Sequence, residues 1–185
     1  ETRVYLLPGN HDELFRDYVA SGFGAGHLVR GFVHTTPKGM ARMFTKVEWF
    51  EEGRFHIVEN QVRPLSYLQY RVGASKSHRH SAEFDWEKQQ IRYSNGNNLP
   101  LPPATQDQGS LLFALMLNPP TGTQTHSVNL SSGKKLAAYD YRYVRSEDVD
   151  TPAGRFKSIV VQWSPQSPSD ESERVTAWLA SDKNY

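Results

Sequence analysis

The sequence predicts a mostly β fold: a curved antiparallel sheet or partly open barrel wrapping one apolar helix, with a short N-terminal strand-turn-helix segment. Three observations carry that prediction. From Leu28 onward, one segment after another alternates apolar and polar residues with period two, the spacing that gives a strand one buried face. Short polar turns containing Gly, Asn or Pro separate these segments, as in a meandering antiparallel sheet. One stretch, Ser110 to Leu117, is apolar almost all round, so a helix there must be buried. With 185 residues, the chain suits one domain or a domain with an appendage and needs no covalent staple.

Arg3 to Leu7 reads as a buried strand closed by the tight turn Pro8-Gly9. Leu14, Phe15, Tyr18 and Val19 then recur at helical spacing. Asp12 supplies a cap and Glu13 an acidic first turn. Ser21 to Gly26 stops this helix, and its glycine spacing lacks the preceding strand and the lysine of a phosphate-binding loop. Leu28 to Thr36, Met43 to Phe50 and Arg54 to Glu59 are the next strands, the last two predicted as a hairpin through Glu51-Glu52-Gly53. Leu68, Tyr70 and Val72 alternate with Gln69 and Arg71. Ala82 to Trp86 and Ile91 to Ser94 flank a further hairpin, and Asn95-Gly96 marks the turn beyond it. Asp85, between Phe84 and Trp86, points toward solvent or a turn amide.

Leu99 to Pro103 forms an extended lead-in to the helix. Asp107 is its N-cap, and Asn118-Pro119-Pro120 ends it. Tyr139, Tyr141 and Tyr143 share one strand face, with Asp140 and Arg142 on the other. Ile159, Val161 and Trp163 alternate with Ser158, Val160 and Gln162, a strand buried on nearly both sides. Ser164 to Ser172 reads as a mobile loop, and Val175, Ala177 and Leu179 form a last apolar face.

Twenty-one basic residues nearly cancel twenty acidic ones. No long basic run marks a nucleic-acid surface, so nucleic acid is not an expected partner. The absence of cysteine removes disulfides, thiolate zinc sites and cysteine nucleophiles. It fits a reducing cytosol and a periplasm equally. No apolar run of about 18 residues is present to form a spanning helix, and no basic-then-apolar leader follows Glu1.

Gly9-Asn10-His11-Asp12-Glu13 is the sharpest motif. With Val4 to Pro8 before it and Leu14, Arg16-Asp17-Tyr18, Leu28-Val29-Arg30 and His34-Thr35-Thr36 after it, Arg3 to Gly39 resembles the calcineurin-like metallophosphoesterases of the UDP-2,3-diacylglucosamine pyrophosphatase type. The resemblance implies Asn10 as a ligand of one metal in a two-metal centre, and His11 as the group that protonates the leaving group or stabilises the transition state. Two divalent cations such as manganese, about 3.5–4 Å apart, need bridging carboxylates and several imidazoles. The family's upstream Asp-x-His and Gly-Asp elements have no counterpart before Pro8. His78 and His80 form the only His-x-His pair, without its glycine, and period two puts both rings on one side of a strand predicted to be a solvated hairpin face. The residue-level alternative for Asn10 to Asp12 is an ordinary strand-to-helix turn.

Met43 to Tyr185 resembles a different family, the bacterial exported domain of unknown function 3108. The matching text includes Arg54-Phe55, Val58-Glu59-Asn60, Gln61 to Tyr67, Phe84 to Glu87, Leu99 to Pro103 with Gln106-Asp107 and Ser110-Leu111, Asp150 to Phe156, and Trp178 to Asp182 with Tyr185. The resemblance implies a periplasmic or cell-envelope location and a further strand after Tyr185. The expected division is therefore residues 1–42, metallophosphoesterase-like, and 43–185, an uncharacterised β domain.

Within the larger segment no nucleophile, base and orienting group stand together, and no Gly-x-Ser-x-Gly elbow occurs. The expected function is a non-enzymatic envelope protein, without cofactor, whose sheet interior holds an apolar small molecule or lipid or is simply filled by Leu111 to Leu117. A two-metal phosphoesterase or pyrophosphatase using Asn10 and His11 is one alternative. A recombined or artificial chain without selected function is the other.

Overall fold

The computed structural model describes residues 2–5, 27–35, 48–73, 78–151, 154–167 and 174–180, with side chains for 50–73, 78–150, 154–167 and 174–180. Asn10, His11 and the predicted helix after them lie outside the described residues. Among the described residues the fold is mostly β, with two sheets, one strongly curled into a half-barrel, and a single helix.

Contact density divides the chain into two units. One comprises residues 25–113 and 129–136. Its sheet runs β2 (His27–Thr35), β3 (Glu48–Val58), β4 (Gln61–Val72), β5 (Arg79–Asp85), β6 (Gln90–Tyr93) and β7 (Asn98–Pro100), each antiparallel to the next. Phe55, Ile57, Val62, Tyr67, Ala82, Phe84, Ile91 and Tyr93 alternate onto its buried face, as period two requires. Pro100 lies on the edge strand β7, where a residue without an N–H is tolerated.

The predicted hairpin at Glu51-Glu52-Gly53 does not form. β3 runs straight through those residues, and the reversal falls at Glu59-Asn60, where both φ angles are positive (50° and 60°). Asn readily takes a left-handed conformation, whereas Glu59 is held in it by the two-residue connection of a primed hairpin turn. Gly53 serves a close approach instead of a turn: a Cβ there would stand 3.3 Å from Oδ1 of Asp107.

The short strand β8 (Gln106–Asp107) pairs in parallel with the end of β9 (Thr125–Ser131), through Leu130 and Ser131. It leads directly into the helix α1 (Gln108–Leu117). Asp107 caps that helix as predicted: Oδ1 accepts from the N–H groups of Gly109 (2.9 Å) and Ser110 (2.8 Å). Ser110 Oγ accepts in return from the Asp107 N–H at 2.9 Å, a reciprocal cap that satisfies otherwise orphaned donors. Leu111, Leu112, Leu115 and Met116 are buried, and the Phe113 ring stacks at a tilt on Phe55, centroids 4.8 Å apart.

The other unit comprises residues 1–24, 114–128 and 137–185. Its strands are β1 (Thr2–Tyr5), β12 (Val175–Ala180), β11 (Gly154–Pro165), β10 (Leu136–Thr151) and the first part of β9, in that order. β1 pairs in parallel with β12, from Thr2 opposite Val175 to Tyr5 opposite Trp178. Among the described residues this pairing and β8–β9 are parallel, whereas β10–β11, β11–β12 and the successive pairs from β2 to β7 are antiparallel. β12 therefore has neighbours on both edges. Thr176 through Ala180 are all buried, not only the apolar face the sequence shows. Ser158, Val160, Val161 and Trp163 of β11 are buried too, which matches the two-sided reading. Asp148 and Asp150 sit on β10, with Arg155 at 3.1 and 4.0 Å.

Candidate ligand site

Two features of the β2–β7 unit stand out: a buried polar latch against α1, and a recess on the opposite face of the sheet. The latch begins with register. Gly53 of β3 stands opposite Tyr67 of β4, and Glu51 stands opposite Gln69, which in turn stands opposite His80 of β5. Phe55 and Ile57 share parity with Glu51 and Gly53, so the polar row continues the apolar face.

Asp107 is fully buried and meets this row. Its Oδ2 has no hydrogen-bond partner among the described residues. Burial raises its carboxyl from 3.8 to about 7, opposed by the Ser110 and Gly109 hydrogen bonds and reinforced by the nearby Glu51 charge. Glu51 is also raised, first by burial, while Gln69 Nε2 donates to its Oε1 at 3.0 Å. Tyr67 donates to Oε1 of Gln108 at 3.2 Å. Its phenol is pushed well above the usual range by burial and by the charges of Glu51 and Asp107.

Two glycines make room for this arrangement. Gly53 lies under Asp107, and Gly133, at a φ of 79°, lies against the Tyr67 ring. Gly53→Val is expected to destabilise by about 1–3 kcal/mol, because the branched side chain must displace a carboxylate held by two backbone donors. Urea unfolding of the variant measures this, and an unchanged midpoint would show that Asp107 gives way freely.

His78 and His80 do lie on one side, ring centroids 6.2 Å apart. The predicted solvated face is not what the structure shows. His80 is half-buried, its Nε2 has no hydrogen-bond partner among the described residues, and burial lowers its pKa. It shares the inward parity of Ala82 and Phe84. Among the described residues no group of three or more His, Cys, Asp or Glu side chains converges as a metal site.

The recess, a cleft of about 530 Å³, lies on the outward face. A β-bulge creates it. Phe55 pairs with Pro64 and Arg54 with Ser66, leaving Leu65 as the extra residue of β4. Bulges re-aim side chains at the surface. Here the Pro64 carbonyl turns to accept from Trp86 Nε1 at 2.7 Å, which fixes the indole. The Arg63 guanidinium lies 6.0 Å from the Trp86 ring centroid. Val58, Leu65 and His56 complete the near wall, with Glu83, Asp85, Glu87 and Arg92 on the far side.

Asp85 points to a turn amide, as expected: Oδ1 accepts from the Lys88 N–H at 2.9 Å, which lowers its pKa. Sequence reasoning assigned no site role to Arg63, Leu65 or Glu51. The bulge leaves one trace in the text, because the apolar spacing Val62, Pro64 shifts from two to three before Tyr67.

Fold and cleft together define a mostly β protein with a capped apolar helix and a surface recess built on a bulge. The chain belongs to the family described as a protein of unknown function (DUF3108), which it matches over residues 26–185. No curated protein matches it, and no solved structure does.

Proposed function

We propose that the chain is a non-catalytic binding module of the bacterial cell envelope, and that it holds an apolar or lipid-like molecule against Trp86. The observation that carries this reading is the cleft itself. It presents Val58, Leu65 and the immobilised Trp86 indole along one wall, each only half-buried in the free protein. Concave sites with an apolar wall and a few fixed polar groups are where small ligands bind. The helix offers no comparable open apolar face, because Leu111, Leu112, Leu115 and Met116 are already buried. The resemblance to exported proteins supports the envelope location.

Native mass spectrometry of protein isolated from an envelope fraction, with extraction of the denatured sample into organic solvent, tests the reading. A bound amphiphile is expected, and Trp86→Ala is expected to lose it. Two tightly held manganese ions, with phosphodiester hydrolysis abolished by His11→Ala, would overturn it in favour of a hydrolase built on Asn10 and His11.

A further inference from the structure

We propose that the ligand held against Trp86 carries a single carboxylate, and that Arg63 binds it at one end of the cleft. This deepens the binding-module reading and rests on it.

The charges of the cleft pair off unevenly. Arg92 bonds Glu83 at 3.0 Å. Asp85 is satisfied by the Lys88 N–H and by the Lys88 ammonium at 3.4 Å. Arg63 has only the Trp86 face among the described residues, although a guanidinium carries five donors suited to a carboxylate. The side chain is half-buried, so an ion pair there is screened less than one on the open surface. The aromatic face keeps the guanidinium in place without neutralising it.

The same residues set the charge of the ligand. Glu83 and Asp85 are offset by Arg92 and Lys88, which leaves the Glu87 carboxylate lining the cleft to face a bound anion. A dianionic phosphate would meet more repulsion than one guanidinium offsets, whereas a monoanion is matched. Val58, Leu65 and Trp86 continue from Arg63 as an apolar wall, so the carboxylate is attached to a hydrocarbon body.

Titration calorimetry with dodecanoate, dodecanol, dodecyl phosphate and acetate, below micellar concentrations, separates these elements. Dodecanoate is expected to bind about tenfold or more tightly than dodecanol, the margin of one charge-assisted pair. Arg63→Gln should erase that margin and leave dodecanol unchanged, with Arg63→Lys between. Circular dichroism confirms that the variants fold. Equal affinities for dodecanoate and dodecanol, or a preference that survives Arg63→Gln, would overturn the assignment of Arg63 while leaving the binding module standing. Tighter binding of dodecyl phosphate would overturn the carboxylate, and acetate binding as tight as dodecanoate would overturn the hydrocarbon body. If none of the four binds, the binding-module reading falls, and this inference with it.

Discussion

Asp107→Asn is expected to gain stability on the parent chain as pH rises, by about 2–3 kcal/mol between pH 5 and pH 8. The gain follows from where the carboxyl sits. In the unfolded chain it titrates near 3.8, whereas burial against the sheet carries it to about 7 in the folded protein. Below about 3.8 both states hold the proton. Between about 3.8 and 7 only the unfolded state releases it, so stability falls as pH rises through that window. Across about three pKa units the loss approaches 4 kcal/mol. The raised Glu51 carboxyl acts in the same direction.

Asparagine removes the titration and keeps the cap, since its amide oxygen can accept from Gly109 and Ser110 as Oδ1 does. Its amide nitrogen takes the place of Oδ2, which has no hydrogen-bond partner among the described residues. The protonated parent already places an unpaired O–H at that position, so the exchange is close to neutral where the carboxyl is protonated. The difference between variant and parent should therefore grow by about 2–3 kcal/mol from pH 5 to pH 8, because most of the parent's titration loss falls in that range. Urea unfolding at half-unit steps from pH 4.5 to 8.5 measures the trend. A parent chain that grows more stable as pH rises through this window would refute the buried-carboxylate account.

Phe55→Ala is expected to cost about 3–5 kcal/mol, the usual loss for deleting a fully buried aromatic ring. Phe55 is 0% exposed and lies on the strand face that meets α1. Its tilted contact with Phe113 adds about 0.5–1.5 kcal/mol beyond area alone. Phe113 is only half-buried, so Phe113→Ala should cost less. In the double variant the two losses should fall short of additive by the coupling between the rings. Denaturant midpoints of the four proteins give that coupling directly. A value near zero would mean that α1 is held to the sheet by its capped end rather than by this contact.

Both experiments bear on the same region because one segment supplies two kinds of attachment. The carboxylate, glycine and tyrosine hold the first turn of α1, and the aromatic pair holds its middle. Of these, the sequence announces the cap. Asp107 stands immediately before an apolar run and Asn118-Pro119-Pro120 after it, and both signals depend only on local backbone chemistry. The hairpin around Trp86 and the turn at Asn95-Gly96 were legible for the same reason.

Gly53 shows where that legibility stops. Glycine after two glutamates reads as a turn because glycine is permissive everywhere. Whether that permissiveness serves a reversal or a close approach depends on what the rest of the chain brings alongside. Here Asp107, more than fifty residues later, comes to within 3.3 Å of the would-be Cβ. Glu51 passed for a turn residue on the same grounds, although its parity with Phe55 and Ile57 places it on the buried face. His80 looked solvated because period two gives the side of a strand, not what covers that side.

The amino-acid sequence by itself determined the β class, the single apolar helix, its capping residue and most strand positions, since these rest on periodicity and on dihedral preferences acting over a few residues. Only the tertiary structure decided that Asp107 is a buried carboxyl raised to about 7, that β1 lies in parallel beside β12, and that a bulge at Leu65 opens a cleft beside Trp86. Each of these arises from pairing between distant segments. Their register and desolvation are set by the whole packed chain, which no local pattern encodes.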